Sequence, residues 1–174
     1  MRSIAAIAVA IGMAVFAAGA AVAQQPQGCA SAAHRQFDFW VGEWAVTDST
    51  TGRPAGTSHI ELLYNGCVLR ENYAAGGFRG GSLNSYWSGD KSWHQTWMDS
   101  AGAFRHFIGG LDPNGRMVMT AEQPRPDAPG KTRLIRLTFT VNADGTVRQY
   151  SDFSDDAGAH WALRYDYLYR RIDK

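Results

Sequence analysis

The chain has 174 residues, with 17 Lys and Arg against 16 Asp and Glu, a formal net charge of +1. That balance leaves no electrostatic footprint for nucleic acid or an anionic membrane surface. Two cysteines, six tryptophans and nineteen glycines point instead to a turn-rich domain with a heavy aromatic load.

The first segment reads as an export signal. Arg2 precedes an apolar run from Ile4 to Ala18, and Ala21-Val22-Ala23 forms a small-residue cleavage pattern. Residues 1–23 are therefore expected to be a signal peptide and 24–36 a polar leader, with one domain over 37–174. Cleavage removes Arg2 and brings the formal charge to zero. The location this implies is periplasmic or secreted, with no membrane contact after cleavage. In such a compartment Cys29 and Cys67, the only cysteines, are expected to form one disulfide.

Phe37-Asp38-Phe39-Trp40-Val41-Gly42-Glu43-Trp44-Ala45-Val46 follows the leader. Read as a strand, it puts Trp40, Gly42, Trp44 and Val46 on one face. Gly42 would leave room for a neighbouring group to close over the two indoles. One short helical turn is expected before it, at Ala32–Gln36.

Almost every later segment alternates and then meets a turn. Strands are expected at Ser58–Tyr64 and Cys67–Tyr73, joined by an Asn65-Gly66 hairpin. Gly76-Gly77 and Gly80-Gly81 bracket a flexible connection before Ser82–Ser88, and Trp93–Asp99 and Phe104–Gly110 follow. Met117–Gln123, Thr132–Val141, Val147–Phe153 and Trp161–Ile172 complete the set. About ten short strands at this spacing, without a helical period, predict an all-β, single antiparallel up-and-down barrel. A barrel of that strand number is wide enough for a small ligand.

The densest chemistry lies around Tyr86 and Trp93-His94-Gln95-Thr96-Trp97-Met98-Asp99, with Arg105-His106 on the next strand. Trp93, Gln95 and Trp97 share a face. Turned inward, they would line a pocket of apolar walls and a few placed polar groups; they would serve equally as packed core. Glu71 shares a face with Leu69 and Tyr73. On the surface it is an ordinary solvated acid; inside, paired with Arg105 or Arg136, it would be functional. His94 and His106 flank one turn and are expected side by side on the surface. The five histidines are scattered, no His-x-His or His-Glu-x-x-His spacing occurs, and no metal site is predicted. No Gly-x-Ser-x-Gly elbow or phosphate loop is present either.

Three stretches taken in order carry a family resemblance: Phe37 to Trp44, Gly66-Cys67-Val68-Leu69-Arg70-Glu71, and Trp93 to Asp99. Together they resemble a family of mostly bacterial secreted barrels, calycin-like (lipocalin- and fatty-acid-binding-protein-like), whose activity is uncharacterised. Gly42-x-Trp44 is similar to the lipocalin Gly-x-Trp signature, whose Trp plugs one end of the barrel. The resemblance implies a lipocalin-like or ten-stranded barrel holding a small hydrophobic molecule. Nitrobindin-like haem barrels carry a related Gly-x-Trp-x-Gly-x-Gly pattern, but here Trp44 is followed by Ala45-Val46 without the later glycines.

The leading expectation is an exported protein that binds a small hydrophobic or amphipathic ligand without cofactor or catalysis. Trp40, Gly42 and Trp44 would close one end; Tyr86, Trp93, Gln95, Trp97, Glu71 and Arg105 would contact the ligand. Three alternatives stand beside it: a haem barrel using His160 or His94, an enzyme built on Glu71 or Asp99, and an aromatic-filled barrel with a structural or interaction role.

Overall fold

The computed structural model describes residues 28–172; the expected signal peptide and the first four residues of the polar leader, 24–27, lie outside them. Ten antiparallel strands form a closed barrel. They are β1 (Gly42–Asp48), β2 (Pro54–Leu63), β3 (Val68–Ala75), β4 (Phe78–Trp87), β5 (Ser92–Asp99), β6 (Phe104–Leu111), β7 (Met117–Pro124), β8 (Thr132–Val141), β9 (Val147–Ser154) and β10 (Ala162–Arg171). Each strand pairs with its sequence neighbours, and β1 closes the ring on β10 with Trp44 opposite Arg171. Closure leaves no unpaired edge. The expected all-β up-and-down architecture is what the chain forms.

Two consecutive 3₁₀ turns, Ala32–Arg35 and Asp38–Trp40, precede β1. The aromatic segment is therefore not one strand, as its alternation predicts. Trp40 sits in the second turn and pairing starts at Gly42. The parity argument still puts Trp44 and Val46 inside, while Trp40 reaches the core by the turn instead of the pleat.

With consecutive strands antiparallel, the connections at 64–67, 88–91, 112–116 and 142–146 share one end of the barrel. The N-terminal segment fills that end. Phe37, Trp40 and Trp44 are fully buried; Phe37 stacks on Trp40 at 5.2 Å between ring centroids, and both rings meet Phe139 at 4.9 Å. Burying each such ring is worth roughly 1.5–3 kcal/mol, and each aromatic pair about 0.5–1.5 more. The Trp44 indole donates to the Trp40 carbonyl at 2.8 Å, which satisfies its polar edge inside the plug.

Gly42 does what its position between two indoles suggests. A Cβ there would collide with the Arg171 guanidinium. Arg171 crosses this gap to lie over the Trp44 ring at 4.3 Å and donates to the carbonyls of Val41 and Phe39. The disulfide between Cys29 and Cys67 ties the start of this segment to the 64–67 connection. Arg35 reinforces the seam by donating to the Gly66 carbonyl.

Two turn readings need correction. Asn65-Gly66 is not a two-residue hairpin: Leu63 pairs with Val68, so the connection has four residues, with positive φ at Tyr64, Asn65 and Gly66. Phe78-Arg79-Gly80-Gly81 is not a loop but the start of β4. Gly80 is required there because the Trp97 ring lies where its Cβ would be.

The plug yields the first prediction. Replacing both Cys29 and Cys67 by Ser should lower unfolding stability by about 3–4 kcal/mol, the chain-entropy value for a loop of this length. Trp40→Ala should cost about 3–5 kcal/mol. Urea unfolding monitored by circular dichroism measures both.

Candidate functional site

The opposite end of the barrel is not filled. A cavity of about 290 Å³ opens there, walled by Tyr73, Phe78, Trp97, Phe107, Leu137, Tyr165 and Tyr167, with Glu71, Gln95, Gln149 and Tyr169 among its polar lining and Asp99, Arg105 and Arg164 beside them. Its location follows from strand direction. Phe78, Asp99, Arg105 and Arg164 stand at strand ends next to the connections 76–77, 100–103 and 155–161. Apolar walls with a few convergent polar groups are the usual make-up of a ligand site, although the volume is at the low end of the roughly 300–1,000 Å³ range.

Glu71 is the deep charged group, with 3% of its surface exposed. Of the two placements open to it, Glu71 takes the interior one, but not by pairing with Arg105 or Arg136. Ser58 donates to its Oε1 and Ser82 to its Oε2, each at 3.0 Å. Behind them the Gln95 amide donates to Asn84 at 2.7 Å, and the Asn84 amide donates to Ser82 at 2.9 Å. Every donor in this relay points toward the carboxyl, so each bond polarises the next. Burial nonetheless dominates and pushes Glu71 up to about 7, against the two serine hydrogen bonds. Arg136 faces the outer wall, where it pairs with Asp152 and lies over the Trp161 ring.

Asp99 has a different environment. Burial works to raise its carboxyl, but the Trp97 indole N–H at 2.9 Å and the backbone N–H groups of Ala103 and Ala101 outweigh it and hold it below the usual value. It is thus an anion that orients Trp97. Arg105 approaches it at 3.7 Å and donates to Gln123 at 3.3 Å.

Arg164 is the residue that alternation conceals. In the sequence it shares parity with Asp166 and Arg170, which would face outward. A β-bulge breaks the register between β9 and β10: Leu163 pairs with Asp152, and Tyr165 with Ser151, leaving Arg164 as the extra residue. The bulge turns its guanidinium into the cavity lining. Tyr165 and Tyr167 follow in a stacked pair at 4.6 Å. Burial raises the Tyr165 hydroxyl to about 12, so it stays protonated at neutral pH.

Four of the six expected ligand contacts line the cavity: Glu71, Gln95, Trp97 and Arg105. Tyr86 and Trp93 do not. They belong to the plugged end, where the Trp93 indole donates to Gln36 at 3.2 Å and Tyr86 meets His34 edge-on at 5.1 Å. Both rings meet the N-terminal segment, which has already taken the space at that end. Tyr73 shares the parity of Glu71 on β3, whereas Phe78, Phe107 and Tyr167 come to the cavity through the register of β4, β6 and β10.

The histidines proposed for haem do not fit a cavity ligand. His94 is on the outer face, hydrogen-bonded to Asp90 at 2.9 Å and to His106 at 3.2 Å. His106 stands opposite Thr96, not His94 or Gln95. His160 is in the loop before β10, 91% exposed and bonded to Asp156. No histidine is among the cavity-lining residues. Among the described residues no group of three or more His, Cys, Asp or Glu side chains is placed to hold a metal ion.

No protein-family model matches the chain. A search of curated proteins finds no significant relative.

The raised Glu71 value has a definite consequence. Its ordinary value is 4.5 and its folded value about 7, so the folded state holds the proton more tightly than the unfolded chain. The associated stability is fully present below about pH 4.5 and is lost as pH rises through about 7. At about 1.4 kcal/mol per unit, the loss is on the order of 3 kcal/mol. Glu71→Gln should flatten this dependence and exceed the parent in stability at alkaline pH; urea midpoints on either side of the window check it.

Proposed function

We propose that this protein is an exported binding protein that holds a small amphipathic molecule in the open end of its barrel. The observation that carries the reading is the asymmetry of the interior. One end is packed solid by Phe37, Trp40 and Trp44, and the other is an aromatic-walled cavity with polar groups directed into it. A purely structural barrel has no need to keep Glu71, Gln95 and Arg105 around an unfilled space. The Cys29–Cys67 disulfide supports an oxidising compartment, in keeping with the export signal expected at residues 1–23. The fold also supports the calycin-like resemblance of the three sequence stretches. The cavity volume argues for a ring or short chain over a long lipid.

A second reading has one specific observation behind it. Glu71 is poised near neutrality in a cavity, as general acids and bases often are. It would make the same pocket an acid–base enzyme, with Asp99 remaining an anion that positions Trp97.

Native mass spectrometry of the protein purified from its own host is the direct test. The binding reading expects a retained small molecule. A bare mass after gentle isolation supports a structural or interaction role instead. Trp97→Ala removes an aromatic wall and should weaken retention up to about tenfold. Turnover of the retained molecule that stops in Glu71→Gln while binding persists would favour the enzyme reading.

A further inference from the structure

Two arginines face the same cavity from well-separated parts of the wall. Arg105 stands on β6 and Arg164 on β10, with β7, β8 and β9 between them in the barrel. Both also line a second cavity of about 460 Å³ at the same rim, formed with Gln123, Arg125 and Arg133. The pair therefore marks the threshold between the interior and the mouth.

Neither guanidinium is neutralised in the way three other arginines of the wall are. Arg133, Arg136 and Arg148 each make two hydrogen bonds to one aspartate. Arg164 makes no ion pair among the described residues and only skirts the Tyr165 ring at 5.5 Å. Arg105 is 3.7 Å from Asp99, too long for a hydrogen bond, and that carboxylate already accepts from Trp97, Ala101 and Ala103. Desolvation and the nearby Arg164 together make Arg105 harder to keep charged. Two under-compensated cations lining one mouth from opposite parts of the wall have the requirements of a carboxylate site.

The floor asks for the opposite chemistry. Both Glu71 oxygens receive serine hydroxyls, yet each retains a lone pair for a further donor. Glu71 is linked to the arginines by a lateral row: it pairs with Ser82, Ser82 with Trp97, and Trp97 with Arg105. Three strand spacings give roughly 14 Å along the wall, less the inward reach of the two side chains. The rings of Trp97, Tyr73 and Phe107 lie in the same lining.

We propose that the cavity selects a planar organic acid carrying a hydroxyl or amine at its far end, its carboxylate held by Arg105 and Arg164, its ring among the aromatic walls, and its donor on Glu71. The inference rests on the binding reading above and gives that ligand a chemical class and an orientation. The polar order is mouth to floor: anion, ring, donor.

Three probes of one size separate the parts: 4-hydroxyphenylacetate, phenylacetate and 4-hydroxyphenylacetamide, titrated calorimetrically into the disulfide-intact protein. The hydroxy acid should bind at least about tenfold more tightly than either of the others, since each lacks one charge-assisted contact. Arg164→Gln, a change at an exposed side chain, should erase the preference for acid over amide and keep the preference for the hydroxyl. Glu71→Met should do the reverse; if it does not fold, the comparison with phenylacetate in the parent protein decides the floor contact. Equal affinity for acid and amide, or for the compounds with and without hydroxyl, overturns the inference while leaving a cavity that binds. Failure of all three probes to bind also overturns it, and a retained molecule in native mass spectrometry then shows separately whether the cavity reading survives. A retained neutral lipid would overturn the inference alone.

Discussion

The packing of Phe37, Trp40 and Trp44 into one end of the barrel is the constraint on which the remaining structure depends. A closed sheet of ten strands encloses more space than its own inward side chains fill. Here the chain supplies part of the missing volume from outside the sheet, through Phe37 and the second 3₁₀ turn, which carry aromatic rings inward. The ring stack on Phe139, the Arg171 clamp over Trp44 and the Cys29–Cys67 bond hold that segment in place. Without them the barrel would be open at both ends, and the interior polar groups would meet water from two sides.

Filling one end decides what the other can do. Glu71, Gln95 and Gln149 sit at the depth where the plug stops, so they form a floor and not a channel. Burial at that depth is what raises Glu71. The same barrel therefore keeps two carboxyls in different states. Glu71 is poised near neutrality, while Asp99, with three N–H donors, remains ionised. The cavity thus brings a poised acid, an anchored anion and two arginines together between aromatic walls.

The polar groups on the outer wall have a simpler role. His94 and His106 bond to each other, to Asp90 and to Thr96 on the outer wall. Asp152 and Asp166 are outside partners of Arg136 and Arg148. These pairs stitch neighbouring strands across the sheet surface, where such contacts are individually worth little.

Alternation and turn residues alone determined the class and the strand number, and which residues share a face but not which face is inside, because a half-buried strand must repeat with period two. They also put Glu71 on a face with Leu69 and Tyr73, and Trp97 with Gln95. Export chemistry and cysteine count were enough to propose the disulfide that the structure contains. What local pattern could not supply was depth. Whether an inward residue meets the plug, like Trp93, or the cavity, like Trp97 four positions later, depends on where a distant N-terminal segment docks. Nor could it reveal Arg164, since one unpaired residue in the β9–β10 ladder reverses the face that alternation assigns. The architecture is thus a property of local periodicity, and the site is a property of closure, register and what the closed barrel leaves empty.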